Sequence, residues 1–143
     1  MIGFFEYQYL KFKKDHLKNL VALARIDGHV DQSEIEFLHL IGEKYGLKKR
    51  QVQNILDSDE NYEILVPKGY SQRIGQLYDI VGMMMADNVI DEKEMEFCEH
   101  MCDRMQIDKE VIQEMVTIFD RGGVQDFEEW EDFVEKWRMY KLD

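Results

Sequence analysis

A single proline, Pro67, stands in the 143 residues, so long stretches can run on as helix without a forced break. Disulfides have little to work with, since there are two cysteines, and neither argues for an oxidising compartment. No apolar run approaches the ~18–20 residues that a membrane span needs. The opening, MIGFFEYQYLKFKK, puts its apolar residues before its lysines and includes Glu6. A secretory signal has the opposite order, so a cytoplasmic protein without a membrane span is expected. Positive charge is scarce: 18 Lys and Arg face 30 Asp and Glu, for a net charge of −12. The deficit is uneven. Residues 1–70 hold ten basic and eleven acidic side chains, residues 71–143 eight and nineteen. Such a surface repels phosphate backbones, which excludes nucleic acid as a natural partner. It favours cations, or another protein with a basic surface. GxxxxGK, GxGxxG, GxSxG and HExxH are all missing, and the chain is expected not to be an enzyme.

What is present is a hydrophobic content of 45%, enough to argue against disorder, and an internal repeat. Shifted by 60 residues, positions 17–56 fall on 77–116 without a gap. Asp27/Asp87, Asp31/Asp91, Glu34/Glu94, Glu36/Glu96 and Phe37/Phe97 are identical and crowd into one acidic stretch. Leu17/Leu77, Lys49/Lys109 and Gln53/Gln113 match farther out. Two copies of one helical unit are implied. Apolar residues recur at helical spacing three times per copy, for instance Leu17, Leu20, Val21 and Ala24, then Phe37, Leu38, Ile41 and Tyr45, then Val52, Ile55 and Leu56. The expected fold is all-α: one domain, 1–143, a compact bundle of about seven helices. It divides into repeat one (15–57), a linker (58–70), repeat two (71–120) and a C-terminal helix (124–140). Ser71 is the expected N-cap of repeat two, Arg121-Gly-Gly ends its last helix, and the aromatic N-terminus is expected to add a helical segment that docks on the core.

The acids around RIDGHVDQSE (25–34) resemble half of an EF-hand loop. With Glu34 as the bidentate twelfth ligand, positions 1 and 3 become Leu23 and Arg25, and in copy two Met83 and Met85. Neither copy can wrap calcium in that manner. Asp31 and Glu34, like Asp91 and Glu94, have the spacing of a helix capping box. Gly28 and its counterpart Asn88 are the residue types that tolerate a left-handed backbone at a helix end. Asp27 and Asp87 do not fit that account. Each stands at a helix C-terminus, where an acid is disfavoured by roughly 0.3–1 kcal/mol. A neighbouring Lys or Arg would compensate. So would a hard divalent cation shared by the acids of the turn, since such ions prefer oxygen ligands.

ARIDGHVDQSE and MMADNVIDEKE are similar to the signature of the TerB-like family, and the likeness extends over roughly residues 15–120. That resemblance implies an all-helical domain of two related halves, associated with tellurite resistance and stress response. It implies divalent-metal binding, with calcium the usual ion, through Asp27, Asp31, Glu34, Asp87, Asp91 and Glu94. Copy one departs from the signature at Arg25 and Ile26, copy two at Asn88. Related domains occur in membrane-anchored J-domain co-chaperones, but no histidine here begins a His-Pro-Asp triplet. The competing expectation is a metal-free acidic protein–protein interaction module.

Other clusters read as packing or solvated surface. Cys98 and Cys102 in CEHMC correspond to Leu38 and Gly42, which predicts core packing rather than a zinc site. Of Met83–Met85, two should face the core. His39 aligns with Glu99, as a solvated position would. His16 and His29 lack an acid or cysteine partner at a recognisable spacing. Lys48-Lys49-Arg50 is read as solvated surface.

Overall fold

A computed structural model describes residues 4–26, 28, 30–86, 90 and 92–138, with residues 4–10 as backbone. Among the described residues there are seven helices and no strand: α1 (Phe4–Ala24), α2 (Gln32–Lys44), α3 (Lys49–Asp57), α4 (Tyr70–Met84), α5 (Glu92–Met105), α6 (Val111–Asp120) and α7 (Phe127–Arg138). The chain divides into two compact units, Met1–Leu65 and Val66–Asp143.

In the first unit α1 packs on α2 and α3, and α2 on α3. Leu17, Leu20, Val21, Leu23 and Ala24 meet Leu38, Ile41, Leu47, Val52 and Ile55 in the core. The N-terminal aromatic segment continues into α1 without a break from Phe4, so it is not a separate helix. In the second unit α4 packs on α5, α6 and α7. Leu77, Ile80, Val81, Met83 and Met84 meet Cys98, Met101, Met105, Ile112 and Met115. The aromatic stripe of α7 lies against α4 and α6. The Tyr78 ring stacks on Phe119 at 4.4 Å and meets the edge of Trp130 at 5.1 Å. Trp137 donates its indole N–H to Glu114 Oε2 at 2.9 Å.

The helix ends obey the same rules in both units. After α2, Gly46 N–H donates to Glu43 O and Leu47 N–H to Gly42 O, at 2.9 and 2.8 Å. After α5, Gln106 and Ile107 bond to Asp103 and Cys102 in the same pattern, at 3.3 and 3.0 Å. This is the paired bonding that closes a helix through a left-handed residue, and φ is +78° at Gly46 and +58° at Gln106. α6 closes likewise through Gly122 and Gly123. α7 begins at Phe127 because Asp126 caps it, its Oδ1 accepting Glu129 N–H at 2.8 Å. The expected cap at Ser71 is corrected. α4 starts one residue earlier, flanked by an extended Gly69 whose carbonyl accepts Arg73 N–H at 3.0 Å, and Ser71 lies inside the helix.

Residues 58–69 form no regular element, but 58–65 are fastened to their unit as a strap. Asn19 Nδ2 donates to Leu65 O at 2.8 Å, and Leu65 N–H donates to Asn19 Oδ1 at 3.1 Å. Tyr62 O–H donates to Ile55 O at 2.8 Å. Arg25 Nη2 donates to Leu56 O and Ser58 O, at 3.1 and 2.6 Å, and Nη1 to Glu60 O at 3.0 Å. The Arg25 guanidinium also lies 5.2 Å from the Tyr62 ring centroid. Arginine thus satisfies the carbonyls at the end of α3, where α6 uses two glycines.

Candidate acidic-turn site

Residues 25–31 link α1 to α2 and residues 85–91 link α4 to α5, and the acids singled out by the repeat fall in these links or in the helices that follow them. In the first unit α1 ends at Ala24. Arg25 N–H still donates to Val21 O at 3.0 Å, and Gly28 N–H closes back on Arg25 O at 3.1 Å. Gly28 has φ +98°, the left-handed backbone expected of that position. α4 ends with Met85 N–H bonded to Val81 O and Ala86 N–H to Met83 O, at 3.1 and 3.2 Å, which match Arg25 to Val21 and Ile26 to Leu23 at the end of α1.

α2 then opens on the expected capping box. Asp31 Oδ1 accepts Glu34 N–H at 2.9 Å and the Ser33 hydroxyl at 2.7 Å, and Glu34 Oε1 accepts Asp31 N–H at 3.2 Å. Satisfying two end-of-helix donors in this way stabilises the helix by about 1 kcal/mol. Glu34 is only 4% exposed, and Glu94, in the first turn of α5, only 6%. A capping glutamate need not be buried to cap, so the shared burial is a feature additional to the capping box.

Of the six expected ligands, Asp31, Glu34 and Glu94 are described; Asp27, Asp87 and Asp91, with Asn88 and His29, lie outside the described residues. Among the described residues no three His, Cys, Asp or Glu side chains form a group that could hold a metal ion. The described members of each turn are carboxylates, a donor set that fits a hard cation and not a soft one.

Burial exposes a pattern that identity did not. Among the described residues the buried polar or charged side chains are His16, Asn19, Glu34, Gln76, Asp79 and Glu94. They fall into three pairs at the repeat spacing: His16/Gln76, Asn19/Asp79 and Glu34/Glu94. His16, discounted from its sequence neighbourhood, is wholly buried with its ring edge-on to Tyr45 at 5.2 Å. A polar residue inside the apolar stripe of α1 was the available signal. Cys98 and Cys102 are fully buried, as expected of core residues. Cys98 lies 3.8 Å from Met84 sulfur. Met83 and Met84 are buried and Met85 is not. Lys48, Lys49 and Arg50 are exposed. His39 is half-buried, 3.2 Å from Gln53 Oε1.

Each unit also has an open groove beside its second helix, at equivalent positions. The first, about 460 Å³, is lined by Glu36, His39, Leu40, Glu43 and Lys49 among others. The second, about 430 Å³, is lined by Glu96, Glu99, His100, Asp103, Asp108 and Lys109. Glu36/Glu96, Glu43/Asp103 and Lys49/Lys109 frame both, while the second is the more acidic.

No described helix is long and apolar enough to cross a membrane. Among the described residues the chain is all-helical. Compared with protein-family models, curated proteins and solved structures, it matches none.

Proposed function

We propose that the chain is a non-enzymatic, TerB-like cytoplasmic domain. It binds a hard divalent cation, calcium or an ion of similar chemistry, at its acidic turns, in a stress response of the kind linked to tellurite resistance. The observation that carries this reading is that Glu34 and Glu94, carboxylates at matching places in the repeat, are both buried. An ionised carboxylate withdrawn from water costs several kcal/mol unless a positive group or hydrogen bonds compensate. A carboxylate can cap through one oxygen and ligate through the other, so the capping box and a cation site are compatible. In this reading Asp27 and Asp87 are the essential ligands, with Asp31, Asp91, Glu34 and Glu94 completing the site.

Titration calorimetry with calcium, magnesium and manganese tests it. Heat should be released with at least one of these ions and be lost in the double variant Asp27→Asn, Asp87→Asn. Binding that survives both substitutions removes the assignment.

The second reading, a metal-free module that grips a basic protein, is favoured by the acidic groove of Glu96, Glu99, Asp103 and Asp108. It predicts that chelator leaves the melting temperature unchanged while partner binding weakens steeply with salt.

A further inference from the structure

α7 lies beyond the stretch 77–116 that the 60-residue shift covers. Its inner side is used by the fold: Phe133, Val134 and Trp137 are buried, and the Trp137 indole N–H donates to Glu114. Its outer edge is not. Phe127, the first residue of the helix, is 73% exposed. The helix start does not require an aromatic there, since Asp126 holds it through Glu129 N–H. Phe127, Trp130 and Val134 recur at i, i+3 and i+7, the spacing of one helix face. They line an open groove of about 340 Å³ whose walls reach from Phe127 to Arg138 and include Ser71 at the start of α4. A lone exposed aromatic is ordinary. One that begins an apolar row along a groove matches the way a protein receives an amphipathic helix.

The charges around the groove decide what kind of helix. Glu131 and Glu135 line it, and Glu128 and Asp132 are exposed beside it on the same helix. Both basic side chains of α7 are already engaged. Lys136 pairs with Glu114 at 2.8 Å, and Arg138 pairs with Glu135 at 3.3 Å while lying 4.8 Å from the Tyr70 ring centroid. Among the described residues no ion pair reaches Glu128, Glu131 or Asp132. An apolar floor rimmed by carboxylates without counter-charge attracts a segment that carries cations beside its apolar residues, and repels an acidic one. The same repulsion disfavours a second copy of this chain, whose net charge is −12.

We propose that the α7 groove is a docking site for an amphipathic helix of a partner protein, with an aliphatic or aromatic stripe flanked by Lys or Arg. Phe127 and Trp130 supply the apolar contact. Glu131 supplies the ion pair that sets the register, and Glu128 and Asp132 steer the approach from the rim. The site shares no residue with the acidic turns or with the groove beside α5, and it requires no metal ion.

Fluorescence anisotropy with the full chain tests this, using a labelled leucine–lysine peptide patterned as an amphipathic helix. The controls are a peptide with glutamate in place of lysine and one of the same composition in scrambled order. The patterned leucine–lysine peptide should bind and both controls should not, with affinity falling as salt rises. Phe127→Ala and Glu131→Lys should each weaken binding about tenfold or more. Both side chains are exposed, so circular dichroism should be unchanged. Equal binding of patterned and scrambled peptides would reduce the attraction to bulk charge and remove the groove. Binding that survives both substitutions but is lost in Glu99→Lys with Asp103→Lys would place the peptide beside α5 and overturn the proposal. So would a wild-type dimer in sedimentation that Phe127→Ala dissociates, since a second copy would then be the occupant. Absence of any binding by the patterned peptide also overturns it.

Discussion

Val52 fills the space above Gly42: a methyl group placed on that glycine would run into Val52 Cγ2. The two helices α2 and α3 approach this closely because position 42 has no side chain. In the second unit Cys102 occupies the matching place and faces a core of Met105, Ile107 and Ile112. Gly42→Ala should therefore destabilise the first unit by about 1–3 kcal/mol through overpacking, despite alanine's better helix propensity. Val52→Ala should relieve most of that cost in the double variant, which a double-mutant cycle by urea denaturation measures. Additive costs would show that the two residues do not share the space.

Asn19 both donates and accepts to hold Leu65, and its side-chain amide supplies the two roles from separate atoms. Asn19→Asp keeps the shape but turns a donor toward Leu65 O into an acceptor, leaving two oxygens opposed. A loss of about 1–3 kcal/mol is expected, with faster exchange of the Leu65 amide. The second unit carries a buried acid, Asp79, at this register. Unchanged exchange of the Leu65 amide in Asn19→Asp would show that the two side-chain bonds do not hold the strap.

Which parts of this architecture are legible from sequence follows from the range of the interactions involved. Helical periodicity is local, and Leu17, Leu20, Val21 and Ala24 announce α1 with no knowledge of what they touch. The Asp31–Glu34 cap spans three residues and is legible for the same reason. The hold of Arg25 on Leu56, Ser58 and Glu60 crosses more than thirty residues and ends on main-chain oxygens. Main-chain acceptors leave no mark in a sequence, so 58–65 reads as linker. The end of α5 is similarly hidden. Gly46 advertises a left-handed residue, whereas Gln106 adopts one without advertisement. At the site, Glu34 and Glu94 are visible as identities, but their burial is not, and the pairs His16/Gln76 and Asn19/Asp79 share burial without sharing residue type.

That hidden turn yields a third prediction. A side chain in the left-handed region costs roughly 1–2 kcal/mol, and Gln106 sits there at φ +58° where the first unit uses Gly46. Gln106→Gly should raise stability by about 1 kcal/mol, less the chain entropy that glycine adds to the unfolded state. A lowered denaturation midpoint would mean that the glutamine side chain supplies a compensating contact.

The buried thiols set the alkaline limit. Burial raises Cys102 from 9.0 to about 12, helped by Asp103 and Glu99, and pushes Cys98 up as well. An unfolded chain releases these protons near pH 9 while the folded chain keeps them. Stability is thus full below about pH 9 and falls as pH rises toward 12, at about 1.4 kcal/mol per pH unit for each thiol. Burial also raises Tyr70 to about 12, so Cys98→Ala with Cys102→Ala should flatten the profile without levelling it. Urea midpoints at pH 8, 9.5 and 10.5 report both slopes. A flat wild-type profile over that range would mean that the thiols reach water.

Glu34→Gln and Glu94→Gln separate the two duties of the buried glutamates. Glutamine keeps a carbonyl oxygen that can accept Asp31 N–H, so the capping box of α2 survives the change. It removes the negative charge that a divalent ion requires. If capping is the whole role, each variant should melt as the wild type does, with divalent ions present or absent, and the burial of a neutral amide should if anything relieve the cost of desolvating a carboxylate. If the buried charge faces a cation, the ion-free melting temperatures should match, while the upward shift that a native-state ligand produces should shrink or vanish in the variants. A tenfold loss of affinity corresponds to about 1.4 kcal/mol at saturating ion, which calorimetry and melting curves both resolve. Glu34→Ala adds the missing control, because it removes cap and charge together and should lower the ion-free melting temperature as well. Cation binding unchanged in Glu34→Gln and Glu94→Gln would leave these side chains as caps and shift the burden to the aspartates of the turns alone.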